Sequence, residues 1–183
     1  MKKLIYGMLL RLSKPLSILP KRIKYTLYEL NSGTNFKIQL ALRYIIVASI
    51  VRKIGQNVYI GKHVSLKNIE QAIIGNNVSI HDMCYVDGFG GLEIGNDVSI
   101  AHSSSLISAN HTWNDKNTPI KYNKVSAGKI VIKDDVWIGC GVRVLSNVEI
   151  NHRSVIAAGA VVNKNTEPNS LNAGVPIKKI KEI

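Results

Sequence analysis

The sequence predicts an all-β fold, a parallel β-helix of hexapeptide repeats, with a basic, helical extension in front of it and one long extruded loop within it. Three observations carry this expectation. Ile132, Ile138, Val144, Ile150, Ile156 and Val162 stand six residues apart without a slip, and Val136, Val142 and Val148 follow four residues behind the first three. The same beat runs earlier through Ile54, Ile60 and Leu66, then Ile74, Ile80 and Val86, then Ile94, Ile100 and Leu106. Neither the helical period of 3.6 nor strict strand alternation yields a six, whereas a short strand followed by a turn does. Third, the turns fall on Gly55, Gly61, Gly75, Gly95 and Gly139, with Asn/Asp pairs at 76–77, 96–97 and 134–135, residue types that accept left-handed backbone angles.

The extension, residues 1–49, holds most of the charge asymmetry. The chain of 183 residues carries a formal net charge of +12. Residues 1–60 hold 11 Lys/Arg against Glu29 alone, while residues 61–183 hold 13 against 11 acidic residues. Leu4, Ile5, Met8, Leu9, Leu10 and Leu12 interleave with these cations. Two readings fit: an amphipathic helix lying on an anionic membrane surface, or a helix capping the repeats with a solvated basic face. Arg11, Lys14, Lys21 and Arg22 interrupt the apolar run, so the segment does not read as a signal peptide. The stretch LALRYIIVASIV at 40–51 is too short to span a bilayer and contains Arg43, so it reads as core. No nucleic-acid-binding module is recognisable.

The repeat region, residues 50–167, supplies about five coils of three hexads, a prism about 25 Å tall at the ~4.8 Å spacing of paired strands. Its ends are sheet edges that need cover, which the extension and the tail, residues 168–183, are placed to give. The beat breaks at residues 112–129, directly after His111. A loop of that length inside a tight solenoid is uncommon and usually functional, and it can leave the prism to reach a neighbour. His111, where a rigid coil meets a mobile arm, is well placed to hold a proton acceptor at a cleft. Cys84 and Cys140 are too few and too far apart for a disulfide framework or a Cys-rich zinc site, which fits a reducing cytoplasm.

The hexads together with DDVWIGCGV (134–142), AAGAVVNK (157–164) and NAGVP (172–176) resemble the hexapeptide-repeat acyltransferases. Within that superfamily the chain is most similar to the sugar O-acetyltransferases: galactoside and maltose acetyltransferases and the enzymes acetylating O-antigen or capsule. The resemblance covers roughly residues 50–180 and implies a left-handed β-helix, a homotrimer, and acetyl-CoA as co-substrate without a metal. It implies that His111 is the general base for direct acetyl transfer to a sugar hydroxyl. The backbone N–H of Cys140 would hold the oxyanion. Coenzyme A would lie in a groove between neighbouring prisms, against Trp137, Cys140, Ala158, Asn163, Lys164, Pro176, Lys178 and Lys181. Asn163 stands where a threonine is common. His81 stands where the galactoside enzymes have a substrate-binding asparagine, which implies a different acceptor.

His63, His102 and His152 receive no role. The five histidines contain no H-x-x-x-x-H pair, which argues against the metal-binding, carbonic-anhydrase-like branch of the fold. The expected function is therefore acetyl transfer to a glycan of the surface polysaccharide class, in the cytoplasm or at the inner membrane face. An amino-sugar N-acetyltransferase and a non-catalytic scaffold remain as alternatives.

Overall fold

A computed structural model describes residues 2–183, which fold as three helices, a parallel β-solenoid and an antiparallel strand that closes its far end. The helices are α1 (Lys2–Ser17), α2 (Lys21–Leu30) and α3 (Lys37–Ala48). α3 buries Arg43, Tyr44, Ile45, Ile46 and Val47, so the apolar stretch is core. The cap also satisfies edge carbonyls of the first coil: Tyr44 Oη donates to Gly55 O at 2.7 Å, and Tyr28 Oη to Val64 O at 2.7 Å. Without such donors these acceptors would be buried unpaired.

Each coil is a triangle of three short strands, and the strands of successive coils stack in register. The first face comprises Lys53–Ile54, Ile73–Ile74, Leu92–Ile94, Ile130–Ile132 and Val148–Ile150. On the second, Tyr59–Ile60, Ser79–Ile80, Ser99–Ile100, Trp137–Ile138 and Ser154–Ile156 pair in parallel. The third holds Ser65–Lys67, Tyr85–Asp87, Ser105–Ile107, Arg143–Val144 and Val161–Val162. Every hexad aliphatic points inward, Ile100, Ile138, Val144, Ile150, Ile156 and Val162 being wholly inaccessible. The register pairs Ile54 with Ile74 and Ile74 with Ile94, each 20 residues apart, but Ile132 with Ile150, 18 apart. The longer coils place their extra residues at the third-to-first corner, at Ile69–Gln71 and Gly88–Gly91.

The corner glycines do different work from that expected. Left-handed φ angles occur at Asn57, Asn77, Asp97 and Asp135, the second member of each polar pair, and not at Gly55, Gly75 or Gly95. Those glycines answer to close approach instead. A Cβ on Gly55 would sit 2.5 Å from the Gly75 carbonyl carbon, and one on Gly139 would sit 2.7 Å from the Ala158 nitrogen. The polar residues beside them form a ladder along the axis. Gln56 N–H donates to Asn76 Oδ1, Asn76 N–H and Nδ2 to Asn96 Oδ1, and Asn96 N–H and Nδ2 to Asp134 Oδ1.

The interruption after the third coil is an ordered arm rather than an open loop. Ala109–His111 pairs antiparallel with Val125–Ala127, and a short 3-10 turn, Ile120–Tyr122, lies near the tip. Asn123 is buried within the tip and donates to Thr118 O at 2.8 Å, while its own Oδ1 accepts the Asp115 N–H at 3.1 Å. At the other end of the chain Ser170–Ala173 extends the second face in parallel, and Lys178–Glu182 turns back against it in antiparallel sense. Ile177 plugs the end of the core.

Candidate functional site

The second-to-third corner repeats the same backbone in every coil. Its members are Gly61-Lys62-His63, His81-Asp82-Met83, Ala101-His102-Ser103, Gly139-Cys140-Gly141 and Ala157-Ala158-Gly159, with positive φ at the third residue of each. The outer two amides are committed: in the fourth coil Gly139 N–H donates to Ile156 O at 2.8 Å and Gly141 N–H to His102 O at 3.1 Å. The middle amide, that of Cys140, has no acceptor among the described residues. It is flanked by two coil-to-coil bonds, and the middle amides of Asp82, His102 and Ala158 in the same column likewise have no acceptor among the described residues. The Cys140 thiol is free and half-buried. Cys84, by contrast, is buried, and burial pushes its thiol pKa up, so it is a packing residue and not a nucleophile.

Trp137, 54 % exposed, projects from the second face three residues before this amide and borders a groove that also includes Ser99, Val155 and Ile183. Ala158 is exposed one coil beyond Cys140, and Gly159 N–H bonds to Cys140 O at 2.9 Å. Pro176 follows the corner formed by Gly174, and Lys178 and Lys181 lie exposed on the closing strand. Lys179 between them is tied to Glu167 and Glu182, so Lys178 and Lys181 are the ones left without an acidic partner among the described residues. Asn163 and Lys164 lie elsewhere, exposed at the third-to-first corner of the fifth coil.

His111 is on that other side too. The arm leaves the prism at Ser108, whose buried hydroxyl donates to Asp87 O at 2.6 Å and accepts the Gly90 N–H at 2.9 Å. Asn110 Nδ2 then anchors the arm to Ser146 Oγ on the next coil at 2.7 Å. His111 pairs in register with Val125, and Thr112 N–H closes on Lys124 O at 2.9 Å. The histidine thus stands on a braced ribbon, not at the junction of a coil and a mobile arm. Its imidazole is exposed and makes no hydrogen bond among the described residues. Within one chain the predicted general base and the predicted oxyanion donor occupy different corners, so one subunit does not bring them together.

His81 heads the second-to-third corner of the second coil, in the same column as Gly139 and roughly 10 Å from it at the ~4.8 Å coil spacing. Its ring leans on Tyr59, centroids 5.5 Å apart. The neighbouring Asp82 is a hub that the hexad pattern did not reveal. It accepts from Asn35 Nδ2 at 3.0 Å and from Lys62 N–H at 3.0 Å, while Asn35 Oδ1 accepts from the buried Arg43 guanidinium at 2.8 Å. Asn35 precedes α3 outside the repeat, 47 residues from its partner, so no local signal joins them.

Burial would raise the Asp82 pKa, but the hydrogen bonds from Asn35 and the Lys62 amide, with the Lys62 charge, outweigh it and hold the carboxyl below its ordinary value. A folded-state pKa below the unfolded one gives stability that is present above the ordinary carboxylate range, near pH ~4, and lost as pH falls through the lowered value. Asp82→Asn is therefore expected to lower the melting temperature at neutral pH. The gap from wild type should close as both are acidified through and below that range; a gap constant with pH would show that the carboxylate charge contributes nothing. Among the described residues no three His, Cys, Asp or Glu converge as a metal site.

Comparison with known proteins follows the same lines. A family model described as bacterial transferase hexapeptide (six repeats) matches residues 129–164. The dTDP-4-amino-4,6-dideoxy-D-glucose acyltransferase of Escherichia coli is 31% identical over 157 residues, 72% of this chain and 82% of that one. Galactoside O-acetyltransferase of Escherichia coli K12 is 29% identical over 163 residues, 88% of this chain and 78% of that one. The crystal structure of a hexapeptide-repeat-containing acetyltransferase from Vibrio cholerae, complexed with acetyl coenzyme A, superposes with a TM-score of 0.78 at 25% identity, covering 88% of this chain and 86% of that one. The solenoid is accordingly a left-handed parallel β-helix.

Proposed function

We propose, because this chain belongs to the hexapeptide-repeat acyltransferases, that it transfers an acetyl group from acetyl-CoA to a sugar hydroxyl, with the surface polysaccharides of the O-antigen and capsule class as acceptors. The observation that carries the reading is the Cys140 amide at the second-to-third corner, three residues after Trp137, a donor with no acceptor among the described residues. His111 supplies the second requirement. An alcohol at neutral pH needs a base to become a nucleophile, and an exposed imidazole on a braced ribbon offers one.

In this reaction the imidazole accepts the hydroxyl proton as the sugar oxygen bonds to the thioester carbon. The tetrahedral oxyanion rests on the Cys140 N–H. The C–S bond then breaks, and the proton held by His111 passes to the departing thiolate. Because the base and the oxyanion donor lie at different corners, the site is completed by a second subunit whose arm reaches the Cys140 corner, and a trimer provides three such sites. Lys178 and Lys181, unpaired on the closing strand, suit the phosphates of the coenzyme. His81, resting on Tyr59, lines the acceptor side.

A second reading rests on the similarity to an acyltransferase of a nucleotide-linked amino sugar. There the nucleophile is an amine, which when neutral attacks without a base. A panel of acceptors separates the two: hydroxyl-only glycans support the first, and turnover confined to amino sugars supports the second.

Melting the protein with acetyl-CoA tests the shared premise. A ligand bound only by the folded state adds about 2.7 kcal/mol at a hundredfold excess over its dissociation constant. For a chain of this size that corresponds to roughly 5–10 °C. A saturable rise is expected. No shift at millimolar ligand would overturn both catalytic readings and leave a scaffold.

A further inference from the structure

We propose that the helical cap is a docking surface for an anionic lipid bilayer, with the outer face of α1 as its apolar wedge. Among the described residues, half of the exposed large apolar side chains lie at or before residue 42. On α1 the exposed ones form a row: Leu4, Met8 and Leu12, at i, i+4 and i+8, are 81%, 55% and 52% exposed. Tyr6, Leu9 and Leu10 on the opposite side pack against the core. The helix is thus apolar on two faces, one of which has no protein against it. α2 repeats the pattern with Ile23 and Leu27, four residues apart and exposed, while its Lys21 pairs with Glu70 and its Lys24 donates to Ser49 O.

Between α1 and α3 an apolar groove of about 620 Å³, lined by Ile5, Tyr6, Leu9, Leu40 and Tyr44, opens beside the row. It adds apolar surface into which a lipid chain can settle.

Charge selects the occupant. Arg11, Lys14, Arg22 and Lys37 have no acidic partner among the described residues, and Glu29 is the sole acid before residue 61. A second copy packed against this face about a twofold axis would set the same cations together. An anionic headgroup layer supplies the opposite sign over an area, with hydrocarbon beneath it for the wedge. No described helix is long and apolar enough to cross a membrane, so the attachment is peripheral.

The test is sedimentation of the full chain with vesicles of phosphatidylcholine alone and with about 30% phosphatidylglycerol, a composition giving a strongly negative surface. Binding is expected to the anionic vesicles only, and to fall as salt shortens the screening length. The double variants Met8→Glu/Leu12→Glu and Arg11→Glu/Lys14→Glu should each weaken it by at least about tenfold, since each basic residue near the surface contributes roughly fivefold and each apolar side chain taken out of water a comparable factor or more. All four positions are exposed, so circular dichroism and the acetyl-CoA melting shift should stay unchanged, which separates this surface from the catalytic reading.

Absence of wild-type binding, equal binding to neutral vesicles, or undiminished binding by both variants would overturn the proposal. So would a drop in molar mass by light scattering for Met8→Glu/Leu12→Glu, because the row would then be a contact between subunits.

Discussion

Replacing His111 with alanine is expected to lower kcat for acetyl transfer by about 10²- to 10⁴-fold, the usual contribution of a positioned general base. The size of the loss matters less than what accompanies it. The imidazole is exposed and unbonded, and the ribbon beneath it is held by Asn110, Thr112 and the backbone. The melting temperature and the shift produced by acetyl-CoA should therefore match wild type, placing the defect in chemistry rather than in folding or donor binding. Activity near that of wild type would remove the imidazole from the reaction.

The largest stability effect is expected at Ile138→Ala. Ile138 has no accessible surface, stacks in register between Ile100 and Ile156, and leads directly into the Gly139–Cys140 corner. Truncating such a residue costs about 2–5 kcal/mol, because the neighbours cannot collapse into the space it leaves. In a chain of this length that is a drop of roughly 4–20 °C in melting temperature. The loss falls on both adjoining coils, since a solenoid is stabilised by nearest-neighbour interfaces. Ile180→Ala is the control: at 59% exposure on the closing strand it should change stability little. Equal losses at the two positions would contradict the burial pattern.

The coils were legible in the sequence because inward isoleucines and valines at a fixed spacing leave a pattern that no other element produces. The turn chemistry was legible only in part. A corner that needs a left-handed residue and a corner that needs the absence of a Cβ both select glycine, and the sequence cannot say which demand Gly55 or Gly75 meets. The ribbon carrying His111 escaped notice because Ala109–His111 and Val125–Ala127 have no buried face, so apolar and polar residues do not alternate along them.

The extension reads as helical, but the bounds of α2 and α3 do not. α3 is apolar around most of its circumference, which identified it as core without defining its ends. His111, Cys140 and Trp137 are candidates that short motifs suggest, whereas the Arg43–Asn35–Asp82 chain leaves no such mark, since it is assembled from the cap and a coil far apart in sequence.

The asparagine ladder gives the prism a direction of growth. Asn76 accepts from the coil before it and donates to the coil after it, and Asn96 does the same. A second copy of residues 76–95 spliced in series would find a donor behind and an acceptor ahead, leaving no amide stranded. Asp134 ends the series, because a carboxylate accepts from Asn96 and has no proton to hand onward. Duplication within the coding sequence can therefore raise the height of this molecule in whole steps of one 20-residue coil ahead of Asp134, while the coils beyond it, which hold Cys140 and the closing strand, keep their relation to one another unchanged.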